Sequence, residues 1–251
     1  MKMSSRILIP SVMFLGLILL SEYLIKNQII PPFILPAPSE VWATLHESFP
    51  EYLKATLITL TEALGGLALS FIVGIGMALL MTGSQKMEAA LFPYALFFQT
   101  VPLISIAPLL VIWFGYGMST VVVSAFIVSV FPMIVNTLAG LKSTDPALLD
   151  LFRLYGATRT QILIKLRLPA AVPSIVTGLR ISTGLAMIGA IVGEFIAGGG
   201  LGGLIDTSRS QQRLDKVFAA VLISSLTGIV LVGMINLLVR TFFSRWRELQ
   251  E

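Results

Sequence analysis

Apolar residues run through the chain in six long blocks, about 7–25, 53–82, 88–114, 119–140, 171–197 and 217–240, separated by polar or proline-rich stretches. Each block approaches or exceeds the roughly 20 apolar residues that an α-helix needs to cross a hydrocarbon core. The pattern predicts an all-α integral membrane protein with about six transmembrane helices in a single domain, residues 1–251, whose core is 53–240. The third block is the least regular, because Pro93, Pro102 and Pro108 interrupt it. In lipid a proline-broken backbone persists only where neighbouring protein or a watery path satisfies the freed polar groups. Residues 93–108 are therefore expected either to line a translocation pathway or to form a kinked packing helix.

Three segments between the blocks carry information. Residues 27–52 contain Pro31, Pro32, Pro36 and Pro38, which exclude a span, and Ser39 is placed to cap a short interfacial helix running through His46. Gly198–Lys216 is a glycine-rich loop. Leu141–Pro169 is the longest polar connection and is amphipathic and basic. Within it Pro146 suits a first helical turn with Asp145 as its cap, and Leu148, Leu149, Phe152 and Tyr155 fall on one helical face. Gly156 then interrupts, and a second helical stretch, Thr158–Leu166, is expected to end at Leu168-Pro169, where the next span begins. Helix, glycine turn, helix on a membrane surface suits docking of a partner; a solvated basic loop held at anionic lipid would have the same pattern.

Charge gives the orientation. With a cytoplasmic N-terminus, the inner side holds Lys2, Arg6, Lys86, Lys142, Arg153, Arg159, Lys165, Arg167, Arg240, Arg245 and Arg247, and the outer side Lys26, Lys54, Arg209, Arg213 and Lys216. Eleven against five, with Arg180 left inside a span, predicts both termini inside and an even number of spans. The first block has basic flanks like a signal peptide, but Glu22, Tyr23 and Lys26 stand where small cleavage-site residues would be, so a retained helix is expected.

Composition narrows the chemistry. Hydrophobic residues make up 56% of the 251 positions and charged ones 12%, with a mean hydropathy of +0.92; a soluble domain carries about a quarter charged residues. The absence of cysteine excludes disulfides and thiolate metal sites, and one histidine, His46, cannot build a histidine-rich site. No G-x-x-x-x-G-K-[ST] occurs, so the chain is not expected to hydrolyse ATP. Gly198–Gly203 matches G-x-G-x-x-G, but a transmembrane block precedes it where a dinucleotide site needs a strand, so a gate or re-entrant turn is expected. Net charge +4, read through its distribution, does not describe a nucleic-acid footprint.

Charges inside spans usually point inward and mark function. Glu62 and Arg180 both fall about 13 Å deep from opposite faces, counted at about 1.5 Å per residue, so an ion pair, a snorkelling arginine or a substrate contact is open for them. Glu194 is expected near the outer end of its span, at an outer gate. Gly189, Gly193 and Ala197, with Gly66, Gly74 and Ala78, offer small-residue faces for packing within one subunit or between two.

The connection at about 141–169 resembles the cytoplasmic loop of ABC importer permeases, patterned E-A-A, three residues, G, nine residues, I-x-L-P. Here Asp150-Leu151-Phe152 is followed after three residues by Gly156 and after nine more by Leu166-Arg167-Leu168-Pro169. Gly156, Leu168 and Pro169 match in identity and Asp150 keeps the carboxylate, while Leu151 and Phe152 replace alanines and imply a bulkier docking knob. Leu35-Pro-Ala-Pro38, Gln99-Thr-Val-Pro102, Ala107-Pro108-Leu109, Trp113-Phe-Gly115, Phe131-Pro132 with Asn136-Thr137, Gly178-Leu-Arg180, Val192-Gly-Glu194 and Gly200-Leu-Gly202 resemble, in order, the branch handling sulfonates, taurine, nitrate, bicarbonate and thiamin-pyrimidine precursors. Thr61–Leu64 and Val192–Phe195 look closer to pyrimidine or riboflavin members.

The resemblance implies a type I importer permease in a bacterial inner membrane, working as a homodimer with two cytoplasmic ATPase subunits and a periplasmic or lipid-anchored binding protein. ATP and Mg would be bound by the ATPase, with no cofactor on this chain. It also implies coupling through Asp150, Leu151, Phe152, Tyr155, Gly156, Ala157, Leu168 and Pro169. Glu62, Gln99, Pro102, Pro108, Asn136, Arg180 and Glu194 are the pathway and gate candidates. Two other classes remain open beside it. A self-contained secondary transporter or channel would show an inverted repeat, and none is evident. An intramembrane hydrolase would need a nucleophile–base or metal constellation, and no G-x-S-x-G or H-E-x-x-H occurs.

Overall fold

The computed structural model describes residues 2–31 and 33–247, without side chains for residues 2–8, 10, 11, 14 and 242–247. Pro32 and the side chains of Lys2, Arg6, Arg245 and Arg247, all used in the sequence reading, lie outside what is described. The described residues are helical, with no strand among them. In order they form α1 (Lys2–Lys26), α2 (Pro38–Glu47), α3 (Phe49–Thr82), α4 (Gln85–Thr100), α5 (Leu103–Phe114) and α6 (Met118–Lys142). The chain continues through α7 (Pro146–Leu154), α8 (Arg159–Ile162), a π-helical turn (Leu163–Arg167), α9 (Leu168–Ala197), α10 (Gly200–Ser210) and α11 (Leu214–Arg247).

Four of these rods, α3, α6, the stretch Arg159–Ala197 and α11, are long and apolar enough to cross a membrane, and α4 with α5 makes a fifth span bent by 101° at Val101–Pro102. α1 supplies a 25-residue helix over the first apolar block. The bend has a local cause. Val101 and Pro102 are both extended, Pro102 caps α5, and a proline disfavours helix in the residue before it.

α6 is the axis of the fold, clasped between α3 and α9. The close approach depends on glycine. A Cβ on Gly189 would stand 2.8 Å from the Ala125 Cα, one on Gly193 2.9 Å from the Ser124 Cβ, and one on Gly74 2.8 Å from Met133. The small-residue faces therefore pack within the subunit. Hydroxyls finish the seam: Ser70 Oγ and Ser129 Oγ are 2.6 Å apart, and Ser182 Oγ donates to the Ser129 carbonyl at 2.7 Å, tying three helices at one level. Without water to compete, packing of small residues and interhelical hydrogen bonds are what hold helices together in lipid.

Two apolar clusters fill this bundle. One holds Ala63, Leu67, Ala125, Ala186 and Met187, and the other Met81, Val130, Ile134, Leu141 and Ala171. A third, with Val41, Tyr52, Leu201 and Ala220, fastens α2 and α10 across the start of α11. There Arg213 grips Asp215 at 2.9 and 2.7 Å, and Asp215 accepts from the Thr44 hydroxyl at 2.7 Å. The Asp215 carboxylate raises the Arg213 guanidinium above its ordinary pKa.

The short helix of the proline-rich segment starts at Pro38, with Ala37 as its cap, so Ser39 is not the cap. Glu40 takes over by accepting from the Ala37 N–H at 3.3 Å, and Ser39 turns to Glu22 on α1, donating from both its amide and its hydroxyl.

Candidate functional site

Two regions at opposite ends of the bundle concentrate polar side chains that the packing does not require. The first is at the end carrying α10. Helix α9 stops at Ala197, and Gly198, Gly199 and Gly200 follow with φ of +78°, +90° and +49°, turning the chain back into α10. A helix start leaves backbone N–H groups unpaired. Here they are met by side chains from two spans: Gly202 N–H donates to Glu194 Oε2 at 2.8 Å, and Leu201 N–H donates to Thr59 Oγ1 at 2.9 Å. A carboxylate is the natural partner, since helix N-termini carry partial positive charge.

The glycines serve this approach. A Cβ at Gly200 would fall within the Glu194 carboxyl group and 2.6 Å from Thr59 Oγ1. The G-x-G-x-x-G spacing therefore reflects a latch of α10 onto α3 and α9, and a helix precedes it where a nucleotide fold would have a strand.

Glu62 lies against Glu194, and both are buried, at 3% and 0% exposure. Glu62 Oε2 and Glu194 Oε1 have no hydrogen-bond partner. The ion pair considered for Glu62 and Arg180 is absent. Arg180 is exposed on α9 and makes no ion pair among the described residues. Depth counting failed because it took residue 53 as the edge of the span, whereas α3 overhangs α9, whose end at Ala197 lies near the Thr59–Glu62 turn. Glu62 is thereby level with Glu194, fourteen positions along α9 from Arg180, a separation of about 21 Å at 1.5 Å per residue. A cavity of about 450 Å³ opens beside the latch, with Glu51, Lys54, Tyr116, Glu194 and Asp206 on its wall.

The second region is the Leu141–Pro169 connection. Asp145 caps α7 by accepting from the Ala147 N–H at 2.8 Å, as expected. Gly156 turns the chain at φ +70°, and Thr158 with Gln161 forms a reciprocal cap on α8 at 3.3 and 2.8 Å. The apolar face differs from the expected one. Leu149 and Phe152 are partly covered, whereas Leu148, Leu151, Leu154 and Tyr155 are exposed, the last two at 85% and 84%. Asp150 pairs with Arg153 at 3.1 Å on the surface.

The second helical stretch does not stop at Leu168-Pro169 but runs into α9. Pro169 has no N–H to offer the Lys165 carbonyl, and the chain absorbs this with a π-turn, in which Leu168 N–H reaches back to the Leu163 carbonyl.

The remaining candidates divide. Gln99, Pro102 and Pro108 sit exposed on the broken span, around its bend. Asn136 is half-buried in the α6–α9 seam, where its amide donates to the Pro132 carbonyl at 2.8 Å and its Cβ lies 3.0 Å from where a Gly178 Cβ would be. Thr59 was missed by sequence reasoning, although it precedes Glu62 by three positions and so shares its helix face.

The fold is that of solved importer permeases. An amino acid ABC transporter crystallised with histidines superimposes with a TM-score of 0.64 at 19% identity, covering 81% of this chain and 97% of that one. In sequence, the model of the binding-protein-dependent transport system inner membrane component family matches residues 70–244. The formylaminopyrimidine transport permease ThiX of Halalkalibacterium halodurans is 38% identical over the full length of both chains. The riboflavin transport system permease RibX of Chloroflexus aurantiacus is 33% identical over 86% of this chain and 81% of its own. This chain belongs to the binding-protein-dependent transport inner membrane component family, the permease subunits of ABC importers. Such subunits are not themselves enzymes; the ATPase is a separate chain.

Proposed function

We propose that this permease passes a small neutral nitrogen heterocycle of the pyrimidine kind from a binding protein on the α10 side to the cytoplasm on the α7–α8 side. The observation that carries the substrate class is the full-length similarity to the formylaminopyrimidine permease. The cavity beside the latch agrees with it: Glu51, Glu194 and Asp206 against the single basic residue Lys54 make a poor reception for a sulfonate.

Both termini are cytoplasmic in this reading, from the excess of basic residues at the loop end. The exposed α7 face of Leu148, Leu151, Leu154 and Tyr155 is the ATPase docking surface, with Asp150 at its edge, Gly156 as its turn, and Phe152 and Ala157 behind it. Leu168 and Pro169 join it to α9. The exposed apolar residues of the broken span, among them Ile104, Ile112 and Trp113, support a second copy of the chain as the dimer partner. Gln99, Pro102 and Pro108 lie on that same span and face the pathway between the copies, and Glu194 with Glu62 holds the outer gate.

The test is transport by proteoliposomes holding the permease with its ATPase and binding protein. A formylaminopyrimidine should be taken up with ATP, and taurine should not. Taurine uptake without pyrimidine uptake would refute the substrate class. In the cysteine-free chain, Ser143→Cys should resist an impermeant thiol reagent in intact cells while Ser39→Cys reacts; the reverse pattern would refute the orientation.

A further inference from the structure

We infer that the joint between the coupling loop and α9 is a binding site for a phosphate-type anion. Behind α7 and α8, against the end of α3, lies a cavity of about 620 Å³, larger than the neighbouring one of about 300 Å³ beside Tyr155. Its wall brings together Arg153, Arg159 and Arg167 with Thr82, Gly83 and Thr160. No carboxylate among the described residues lines it. Asp150 takes one nitrogen of Arg153 at 3.1 Å, and neither Arg159 nor Arg167 has an ion-pair partner within the described residues. Arg167 is the telling residue. Its Nε is buried and has no hydrogen-bond partner, although a guanidinium N–H withdrawn from water is costly to leave unpaired.

Three arginines on the wall of one concave space, with no described carboxylate beside them, suit a phosphate oxyanion, which guanidinium groups engage by forked, charge-assisted hydrogen bonds. The position gives such a ligand a consequence. Arg167 closes the π-turn that joins α8 to α9, Arg153 and Arg159 stand on the two helices of the loop, and Thr82 and Gly83 end α3. An anion held among them bridges the moving loop to two spans and stiffens the joint between them. The same chemistry is offered by free phosphate and by the headgroup of an anionic phospholipid, whose surface lies at this depth if the loop end is cytoplasmic. The inference rests on that placement of the loop, and adds a ligand to it.

The full-length chain is purified and placed in two kinds of nanodisc. In phosphatidylcholine discs, binding of radiolabelled inorganic phosphate is followed by equilibrium dialysis; in discs containing phosphatidylglycerol, the retained lipid is counted by native mass spectrometry. Saturable binding near one anion per chain is expected in one arm, and the arm in which it occurs identifies the source. Arg159→Gln combined with Arg167→Gln should weaken it by about tenfold or more, the scale of losing charge-assisted bonds. Arg240→Gln, exposed on α11 and outside the cavity, should leave it unchanged. Absence of saturable binding in both arms, or equal loss in Arg240→Gln, would overturn the inference. Co-purification of the ATPase with the same variants is scored separately: loss of anion binding with the ATPase retained supports a site distinct from the docking face, whereas loss of the ATPase with anion binding unchanged assigns these arginines to docking and overturns the anion site.

Discussion

Replacing Gly200 by alanine tests the α10 latch with a single methyl group. Two costs are added by the structure. At φ +49° an L-residue is left-handed, which costs about 1–2 kcal/mol. The new Cβ would also coincide with the Glu194 carboxyl group, so that side chain must leave the Gly202 N–H, and Thr59, 2.6 Å from the same point, must release the Leu201 N–H. Two buried hydrogen bonds at about 1 kcal/mol each bring the total to roughly 3–4 kcal/mol. Set against the docked position of α10 alone, this lowers the docked-to-undocked ratio by more than about a hundredfold. Ser208 on the same helix is 4% exposed, and the chain has no cysteine, so Ser208→Cys reports undocking by its labelling with an impermeant maleimide. Labelling should accelerate by about two orders of magnitude when Gly200→Ala is added, given the ratio above. A rate within about twofold of the parent would refute the latch as an energetic unit, whatever transport does.

Gly156→Val meets no atom within 4 Å, so its whole effect is backbone strain at φ +70°, and Gly156→Asn should be milder because asparagine tolerates that region. ATPase co-purification should fall for valine while membrane insertion persists; wild-type association would refute the turn's role. Gly189→Leu drives a side chain into Ala125 and Ser124 and should collapse the folded yield, whereas Gly184→Ala, with open space around it, should match wild type in detergent thermal melts. Exchanging charges as Glu62→Arg with Arg180→Glu should rescue nothing, because the two are not neighbours, and Arg180→Gln alone should change stability by no more than about 0.5 kcal/mol; recovery of folded yield by the exchange would contradict the packing.

The spans were legible in the sequence because lipid leaves few alternatives: an apolar block must be a helix, and its ends differ from the observed ones by only a few residues, as at 171–197 against Leu168–Ala197. Asp145 and Gly156 were legible too, since each acts through its own local backbone. What failed was the depth of a residue along its helix and its rotation about the helix axis. Arg180 and Glu62 were matched by depth alone, yet Arg180 lies on the exposed flank of α9 while Glu62 turns inward to Glu194. The apolar face of α7 was drawn through Leu148, Leu149, Phe152 and Tyr155, whereas the packing covers Leu149 and Phe152 and leaves Leu148, Leu151, Leu154 and Tyr155 exposed. Pro169 misled as a stop signal, because a π-turn satisfies a proline without ending the helix. The arginine cavity joins residues from four elements, α3, α7, α8 and the π-turn, and no spacing in the chain announces it.

Because α8 continues through the π-turn into α9, the second helix of the Leu141–Pro169 connection and Glu194 ride on one rod. α9 alone spans 30 residues, about 45 Å at 1.5 Å per residue. A lever of that length rotated by about 5° about its lower end swings its tip by about 4 Å, more than the whole reach of a hydrogen bond. The 2.9 Å bond from the Leu201 N–H to Thr59 on α3 would not survive such a stroke. Under the proposed function, a push at the loop and a release at the α10 latch are then one mechanical event, transmitted by stiffness, with no relay of side-chain rearrangements needed between them.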